Sequence, residues 1–212
     1  YWLDYIKQLI IFGVGFIGYQ LLSFVLIFVF AKISDKNQLF GAMLINLTTY
    51  ILIFIILCIC LFKDIKNIII KTFNKNTVLF GVVAGVILIG ASQLVSFLMG
   101  LAYQSTNVNQ QLSINLVRQY PAFAIIILGI IGPIVEEITY RLGFFSFCSR
   151  INRIFAYIIT ILVFTVIHLD FSSSDFLAEL VSIPSYLVGA IILTYTYEKS
   201  GPISSIIAHS IN

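Results

Sequence analysis

The chain has 212 residues, of which 60% are hydrophobic and 10% are charged, and its formal net charge is +3. Charged residues make up roughly 25% of an ordinary soluble domain, so this composition excludes a soluble globular protein and predicts an integral membrane protein. The small positive charge comes largely from lysines and arginines in loops and gives no reason to propose nucleic acid as a partner. The expected surroundings are a lipid bilayer.

Long apolar runs follow one another along the whole chain. About 20 apolar residues cross the hydrocarbon core as a helix, whereas a membrane barrel shows alternating segments of about ten residues. The continuous runs therefore predict an all-α fold, a polytopic transmembrane helix bundle. About seven spans are visible, and an eighth in the full chain is left open: 8–31, 39–62, 77–103, 120–148, 154–169, 180–198 and a final segment that opens at Gly201–Pro202.

Basic residues concentrate in alternate loops, and cytoplasmic loops of membrane proteins carry an excess of Lys and Arg. One side of the predicted bundle carries Lys7, Lys63, Lys66, Lys71, Lys75, Arg150, Arg153 and Lys199. The other side carries Lys32, Lys36 and Arg118, together with the acidic segment 169–179. This difference predicts a cytoplasmic N-terminus. Segment 62–75 is interpreted either as a cytoplasmic amphipathic helix at the interface or as a solvated basic loop.

The segment "PIVEEITYR", residues 133–141, places two glutamates and an arginine at the end of an apolar helix. Charged side chains inside a bilayer are costly, so they face the bundle interior, find partners and mark function. Glu137 and Arg141 are four residues apart on one helix face and are expected to form a structural ion pair. Glu136 lies about 100° round the helix and is expected to be the freer carboxylate, within hydrogen-bonding reach of Tyr140. Such a carboxylate suits general-base chemistry; a buried ion pair that holds two helices together is the alternative.

The chain has two histidines, His168 and His209, and both occur in apolar surroundings. A single histidine of this kind is more often a packed core residue than a catalyst. The predicted depths of these side chains in the membrane favour a functional site. Glu136 lies about 21 Å before the turn at 150–153 and His168 about 24 Å after it, at 1.5 Å per residue, so the two are at similar depth. His209 lies roughly 13 Å from the cytoplasmic end of its own segment. We therefore expect the three side chains to meet in one layer of the membrane.

Three short motifs occur in order in residues 120–212. "EEITYR" fits EExxxR, "FTVIH" fits FxxxH, and "HSIN" opens like HxxxN. Together, on consecutive membrane segments, they resemble the CPBP family, which comprises the CAAX prenyl endopeptidases and bacteriocin-processing enzymes and is also called the Abi group. The resemblance makes 120–212 the expected catalytic membrane core, whereas 1–119 resemble the family only in being N-terminal membrane helices. We expect the two parts to form one integral membrane domain.

The resemblance implies an intramembrane endopeptidase with a cytoplasm-facing cavity and no cofactor. Glu136 would activate the attacking water with the help of His168, and His209 and a following asparagine would stabilise the oxyanion. The family asparagine stands four residues after the histidine, at what would be position 213 here. Asn212, at the third position, lies on the same helix face. Four further residues would support this catalytic group: Glu137, Arg141, Tyr140 and Phe164.

Other chemistries and functions remain open at this point. Glu136, His168 and His209 also form a His₂Glu set that suits catalytic zinc, so a zinc-dependent intramembrane protease is one alternative. A non-catalytic bacteriocin-immunity or accessory membrane protein, which keeps the fold and binds a partner, is another. A transporter that relays protons through the same side chains is the third.

The expected partner is a peptide or protein substrate at the membrane. By analogy with the family, the substrate would be a small or membrane-proximal peptide of the pheromone or bacteriocin type. The chain is rich in Ile, Phe, Lys and Asn, a composition typical of a low-GC bacterium. The expected location is therefore the bacterial plasma membrane, with several passes through it.

Overall fold

A computed structural model describes residues 3–212, and every regular element among them is a helix. This confirms the predicted all-α, polytopic helix bundle. The described helices are α1 (Tyr5–Val29), α2 (Ala31–Lys36), α3 (Gln38–Thr72), α4 (Lys75–Ala102), α5 (Val108–Gln119), α6 (Pro121–Ser149), α7 (Arg153–Val166), α8 (Phe176–Ser200) and α9 (Pro202–Ile211).

Five of the described helices, α1, α3, α4, α6 and α8, are long and apolar enough to cross a membrane. The other two apolar helices, α7 with 14 residues and α9 with 10, are shorter. At 1.5 Å per residue α7 is about 21 Å long, less than the roughly 30 Å of a hydrocarbon core. His168 lies two residues after the end of α7 and His209 lies near the end of α9, and both side chains are largely buried, with 16% exposed. Seven crossings stay a prediction.

The helix boundaries differ from the predicted spans most clearly in α3. The predicted span 39–62 continues without a break to Thr72, so most of segment 62–75 is neither a separate interfacial helix nor a loop. The physical reason is that no glycine or proline occurs between Gly41 and Thr72 to end the helix. Asn74, whose side chain accepts from the Thr77 amide at 3.0 Å, then starts α4.

Helix α4 packs against both α8 and α9. Two glycines allow α9 to approach closely, since a Cβ atom at Gly81 would lie 2.8 Å from the Ser204 carbonyl oxygen and one at Gly85 would lie 3.0 Å from Ile211 Cβ. Ser204 Oγ also donates to the Thr77 carbonyl oxygen at 2.8 Å. These contacts hold α9, and with it His209, at a defined depth.

The turn between α8 and α9 depends on glycine. Gly201 has a φ of 88°, a left-handed conformation that side chains with a Cβ rarely adopt. Pro202 follows at the first position of α9, where its missing N–H costs nothing. The chain therefore reverses sharply and sends α9 back into the bundle.

Candidate catalytic site in the membrane

The backbone of α6 departs from a regular α-helix where the charged motif lies. Wider π-helical turns cover Ile125–Ile131 and Glu137–Phe145, with a short α-helical stretch, Gly132–Glu136, between them. Pro133 has no N–H for the helical ladder, and π turns of this kind occur often at functional sites. The two glutamates therefore lie at a transition in helix geometry.

Glu137 and Arg141 form the predicted ion pair. Arg141 Nη1 donates to Glu137 Oε1 at 2.8 Å, and both side chains are 0% exposed. The same oxygen lies 2.9 Å from Nδ1 of His209 on α9. Glu137 thus joins two helices through one carboxylate oxygen, and it holds His209 by the nitrogen that faces away from Glu136.

Glu136 is the freer carboxylate, as predicted. Its Oε2 lies 4.0 Å from His168 Nε2 and 3.8 Å from His209 Nε2. Its other oxygen, Oε1, accepts a hydrogen bond from the Tyr50 hydroxyl at 2.7 Å. The structure therefore brings together the three side chains that depth counting placed in one layer. Oε2 faces both imidazoles.

The orientation of His168 follows from its own helix end. Its Nδ1 lies 2.6 Å from the Phe164 carbonyl oxygen, which can only accept, so Nδ1 carries the proton. Nε2 of the neutral ring is then the free nitrogen that faces Glu136. The ring also stacks on Tyr186 with centroids 4.9 Å apart. His168 is thus held by a backbone hydrogen bond and an aromatic contact.

Phe164 contacts several of the motif residues. The Arg141 guanidinium lies 4.1 Å above its ring centroid, a cation–π arrangement. Tyr140 meets the same ring edge-on at 5.5 Å. The expected bond from Tyr140 to Glu136 is replaced by the Tyr50 bond, since the π turn that begins at Glu137 changes the spacing on which the i,i+4 argument rests.

Tyr50 and its neighbours were missed by the sequence argument. Tyr50 comes from α3, in the part of the chain without family motifs, and packs beside Tyr19 of α1 with ring centroids 5.1 Å apart. The Tyr19 hydroxyl in turn donates to Asn46 Oδ1 at 3.2 Å. The polar run "NLTTY", residues 46–50 inside an apolar span, is a signal that could have pointed to this cluster.

A glycine makes room for Tyr50 beside α6. At Gly132 of α6, an added Cβ would lie 3.6 Å from the Tyr50 ring and 2.4 Å from the Ile127 carbonyl oxygen. The backbone of α6 therefore excludes any residue larger than glycine at this position. Because Gly132 has no side chain, the Tyr50 phenol can reach Glu136, which lies four residues after Gly132.

Glu136, His168, His209 and Asn212 all line one cavity of about 550 Å³. Asn212 is exposed to it, and its backbone N–H donates to the His209 carbonyl oxygen at 3.2 Å. The lining continues away from Glu136 through polar residues of α4, of the 103–107 loop and of α5. These are Ser92, Gln93, Ser96, Tyr103, Ser105, Asn109, Gln110 and Ser113.

We call the outer end of this lining, formed by Tyr103, Ser105, Asn109 and Ser113, the mouth. It lies at the end of the bundle where α4 finishes and α8 begins, opposite the α6–α7 turn that carries Arg150. The basic loops and the mouth are therefore at opposite ends.

A carboxylate clasp, in which Asp175 accepts hydrogen bonds from two residues of the mouth, lies beside it. Ser105 Oγ donates to Asp175 at 2.9 Å and the Tyr103 hydroxyl donates to the same carboxylate at 3.0 Å. The Ser105 bond is the main cause that lowers the pKa of Asp175. The bond to Asp175 raises the pKa of Tyr103. Buried Glu179 accepts from the Val108 and Asp170 amides nearby, at 2.9 and 3.0 Å, and ties the same two segments together.

No group of three His, Cys, Asp or Glu side chains within residues 3–212 is arranged to hold a metal ion. The separations of 3.8 and 4.0 Å at Glu136 exceed the roughly 3.4 Å between two ligands of a tetrahedral zinc with bonds of about 2.05 Å. The donor types nevertheless suit zinc, because both histidines have Nδ1 engaged by an oxygen and Nε2 free. The observed geometry thus requires a small movement before a metal could bind.

Fold and site together define a polytopic membrane protein with a carboxylate and two imidazoles in a polar intramembrane cavity. Residues 118–212 match the family model described as Type II CAAX prenyl endopeptidase Rce1-like. The matched region contains the three motifs that resemble the CPBP family. No solved structure matches the chain.

A relative was also found in a bacterium. The chain is 36% identical over 88 residues to the UPF0177 protein YbdI of Lactococcus lactis subsp. lactis (strain IL1403). The aligned part spans 41% of this chain and 43% of that relative. The similarity thus extends over less than half of either protein.

Proposed function

We propose that the protein is an intramembrane endopeptidase of a bacterial plasma membrane, in which Glu136 activates water. The observation that carries the proposal is the convergence of Glu136 Oε2 with the Nε2 atoms of His168 and His209, at 4.0 and 3.8 Å, on a polar cavity. The match of residues 118–212 to a family model of CAAX prenyl endopeptidases supports this reaction class.

The reaction follows from the roles that the geometry allows. A water within about 2.8 Å of both Glu136 Oε2 and His168 Nε2 fits between them. Glu136 removes a proton as the water oxygen attacks the carbonyl carbon of the peptide, which forms a tetrahedral oxyanion. When the C–N bond breaks, the same proton passes from Glu136 to the leaving amine. The products are a new carboxyl terminus and a new amino terminus.

The oxyanion is assigned to His209 and Asn212. As an imidazolium, His209 donates from Nδ1 to Glu137 and from Nε2 to the oxyanion. Asn212 lines the same cavity and contributes an amide N–H. Donors of this kind, fixed in a site with little water, stabilise the transition state more than the ground state. Glu137 and Arg141 keep His209 in place and are positioning residues.

The proposed substrate is a short peptide or a membrane-proximal segment of a protein, of the pheromone or bacteriocin type. Hydroxyl and amide side chains line the cavity between the mouth and Glu136. Such groups can pair with the backbone of an extended peptide, which has one donor and one acceptor per residue. A peptide chain therefore suits this lining.

Zinc hydrolysis is the second candidate, because the fixed Nδ1 atoms leave two Nε2 atoms and a carboxylate facing each other. In that case Glu136, His168 and His209 would be ligands, and the metal would lower the pKa of bound water. An immunity or accessory protein without hydrolysis, or a proton-relaying transporter, would use the same side chains without cutting a peptide.

The test is cleavage by purified protein in detergent, with synthetic precursors of secreted bacterial peptides as substrates and mass spectrometry as the readout. We compare the wild type with Glu136→Gln, each with and without a chelator. The matched control is Asp35→Asn, which neutralises an exposed carboxylate outside the cavity. Loss of about 10³-fold or more in Glu136→Gln, with the control unaffected, supports the general base.

Each other result has a defined meaning. Cleavage that stops on chelation and returns with zinc replaces the proposed mechanism with the metal mechanism. Glu136→Gln that cuts as fast as the wild type contradicts both mechanisms. If neither protein cuts any precursor while both bind one, the immunity or accessory function is favoured.

A further inference from the structure

A second cavity lies at the end of the bundle where α3, α6 and α8 finish and where α4 and α7 begin. Its volume is about 710 Å³, and its walls come from 71–80, from 145–153 and from 197–201. We call it the end cavity. Among the described residues, none lines both the end cavity and the cavity beside Glu136. The proposed peptidase chemistry therefore does not account for it.

The end cavity is positively charged. Three basic side chains line it, those of Lys71, Arg153 and Lys199, together with one carboxylate, that of Glu198. The carboxylate is already engaged, because its Oε2 accepts from Arg153 Nη2 at 2.7 Å and from the Tyr157 hydroxyl at 2.8 Å. Lys71 and Lys199 form no salt bridge with any of the described residues 3–212. Two ammonium groups thus remain for an anionic ligand.

Neutral hydrogen-bonding groups accompany the two lysines. Asn74 and Asn76 both line the end cavity. The side-chain oxygen of Asn74 accepts from the Thr77 amide at 3.0 Å, so its NH₂ group is the part that can serve a ligand. Ser146 and Tyr197 are buried lining residues, and their hydroxyl oxygens lie 2.6 Å apart. Ammonium and amide donors bind the oxygens of a phosphate, so a phosphate group suits this lining.

The surface next to the end cavity is apolar and faces lipid. Asn76 and Phe80 of α4 line the cavity, and Val83 and Ile87 continue the same helix face at helical spacing. These two side chains are 48% and 56% exposed. The apolar sequence of α4 starts at Val78, so the boundary between headgroups and hydrocarbon is expected at the cavity. A ligand with a phosphate at one end and acyl chains at the other fits both surfaces.

We propose that the end cavity binds the phosphate headgroup of an anionic phospholipid, such as phosphatidylglycerol, and that the acyl chains lie along the exposed face of α4. Lys71 of α3 and Lys199 of α8 bind the phosphate oxygens, and the Asn76 side chain donates to the headgroup. Basic cavities between membrane helices recognise lipid headgroups in this way. The lipid thereby connects the turn between α3 and α4 to the end of α8. Binding requires no peptide cleavage.

The test is native mass spectrometry of the purified, delipidated protein in detergent. Phosphatidylglycerol is titrated in one series and phosphatidylcholine, which carries no net charge, in another, and the affinity of the first bound lipid is measured. The wild type is compared with the double variant Lys71→Gln/Lys199→Gln. The matched control is Lys63→Gln/Lys66→Gln, which removes two exposed lysines from the same end of the bundle but outside the end cavity.

We expect Lys71→Gln/Lys199→Gln to bind phosphatidylglycerol about 30-fold more weakly than the wild type, since each basic residue near an anionic lipid contributes roughly fivefold. The control variant should keep most of the affinity, and phosphatidylcholine should bind all three proteins equally weakly. If the double variant does not fold, Asn76→Asp takes its place. It puts a carboxylate at an exposed position of the cavity wall and should weaken phosphatidylglycerol binding in the same way.

Four results overturn the proposal. Equal losses in the two double variants mean that the whole end of the bundle attracts anionic lipid without a defined site. Unchanged binding in Lys71→Gln/Lys199→Gln, or in Asn76→Asp, means that the lipid binds elsewhere. Equal affinity of the wild type for the two lipids means that the phosphate charge is not recognised. Displacement of the lipid by an equal concentration of glycerol 3-phosphate means that the cavity takes a free phosphate compound. Each readout is independent of turnover, so the peptidase function is tested separately by the Glu136→Gln comparison.

Discussion

Tyr50 binds one oxygen of Glu136 and leaves the other facing the two histidines. Its hydroxyl donates to Oε1 at 2.7 Å, while Oε2 faces the two imidazoles. A carboxylate that is held by one oxygen keeps its other oxygen in a fixed direction. The phenol is thus suited to orient Glu136 as the general base that we propose, and it does so from a helix that the family motifs do not include.

We predict that Tyr50→Phe lowers kcat by about 10- to 100-fold with a smaller effect on KM, because a hydrogen bond to a charged group is worth about 1.5–3 kcal/mol. The measurement is steady-state cleavage of a precursor that the wild type cuts. Tyr195→Phe, which alters an exposed tyrosine outside the cavity, is the control. A fall in kcat that is accompanied by a lower unfolding temperature, with an unchanged pH–rate profile, would indicate a merely structural role.

Residue spacing predicted part of this site, for a physical reason. Glu136, His168 and His209 could be placed in one layer because helix rise is regular, and depth can be counted from a turn. Tyr50 could not be found in that way, since periodicity does not say which helices lie side by side. The expected hydrogen bond between Tyr140 and Glu136 is not formed, because a π turn begins within the four residues that separate them.

At the level of elements, the contact between α4 and α9 fixes the position of His209. Gly81 and Gly85 allow the backbones to approach, and added Cβ atoms would lie 2.8 Å from Ser204 O and 3.0 Å from Ile211 Cβ. Small residues at helix contacts permit close packing within membranes. The depth of His209 is therefore set by glycines on another helix.

We predict that Gly81→Ala reduces stability by about 1–3 kcal/mol, because the new methyl group meets backbone and α9 must move. Cleavage should fall as well, since His209 moves with α9. Gly90→Ala in the same helix is the matched control, because nothing lies within 4 Å of a Cβ atom there. Thermal unfolding in detergent and peptide cleavage are measured for both. Equal behaviour of the two variants would show that the α4–α9 contact is not tight.

For the molecule as a whole, the clasp at the mouth joins the 103–107 loop to the start of α8 through Asp175. Hydrogen bonds from Ser105 lower the pKa of this carboxyl below its ordinary value. A group whose pKa is lower in the folded state stabilises that state above the unfolded pKa, near 3.9. The contribution is lost as the pH falls through the folded pKa.

We therefore predict that the 103–107 loop becomes more mobile when the pH is lowered below about 4. Hydrogen exchange of the loop amides, measured in detergent over a range of pH and corrected for intrinsic exchange, gives the readout. Asp175→Asn should show the faster exchange already at neutral pH and no further acid-dependent change. If the variant keeps the acid response of the wild type, another group is responsible.

The fold class could be predicted from composition. A chain with 10% charged residues has too much apolar surface for a soluble fold, and in lipid the long apolar runs must be helical to satisfy their backbone hydrogen bonds. The lining of the cavity could not be predicted. Charge counting predicts how the helices are oriented, but it does not predict which residues line a cavity or where they lie relative to the basic loops. Lateral packing of helices, which decides that position, leaves little trace in hydropathy.

The hydrogen bond from Tyr50 to Glu136 has a consequence for how modular this protein can be. It joins residues 86 positions apart, one inside the matched region 118–212 and one outside it. A chimera that kept 118–212 and took its first helices from another membrane protein would carry every motif residue and yet lack the phenol. The unit that evolution can exchange intact is therefore larger than the unit that sequence similarity outlines.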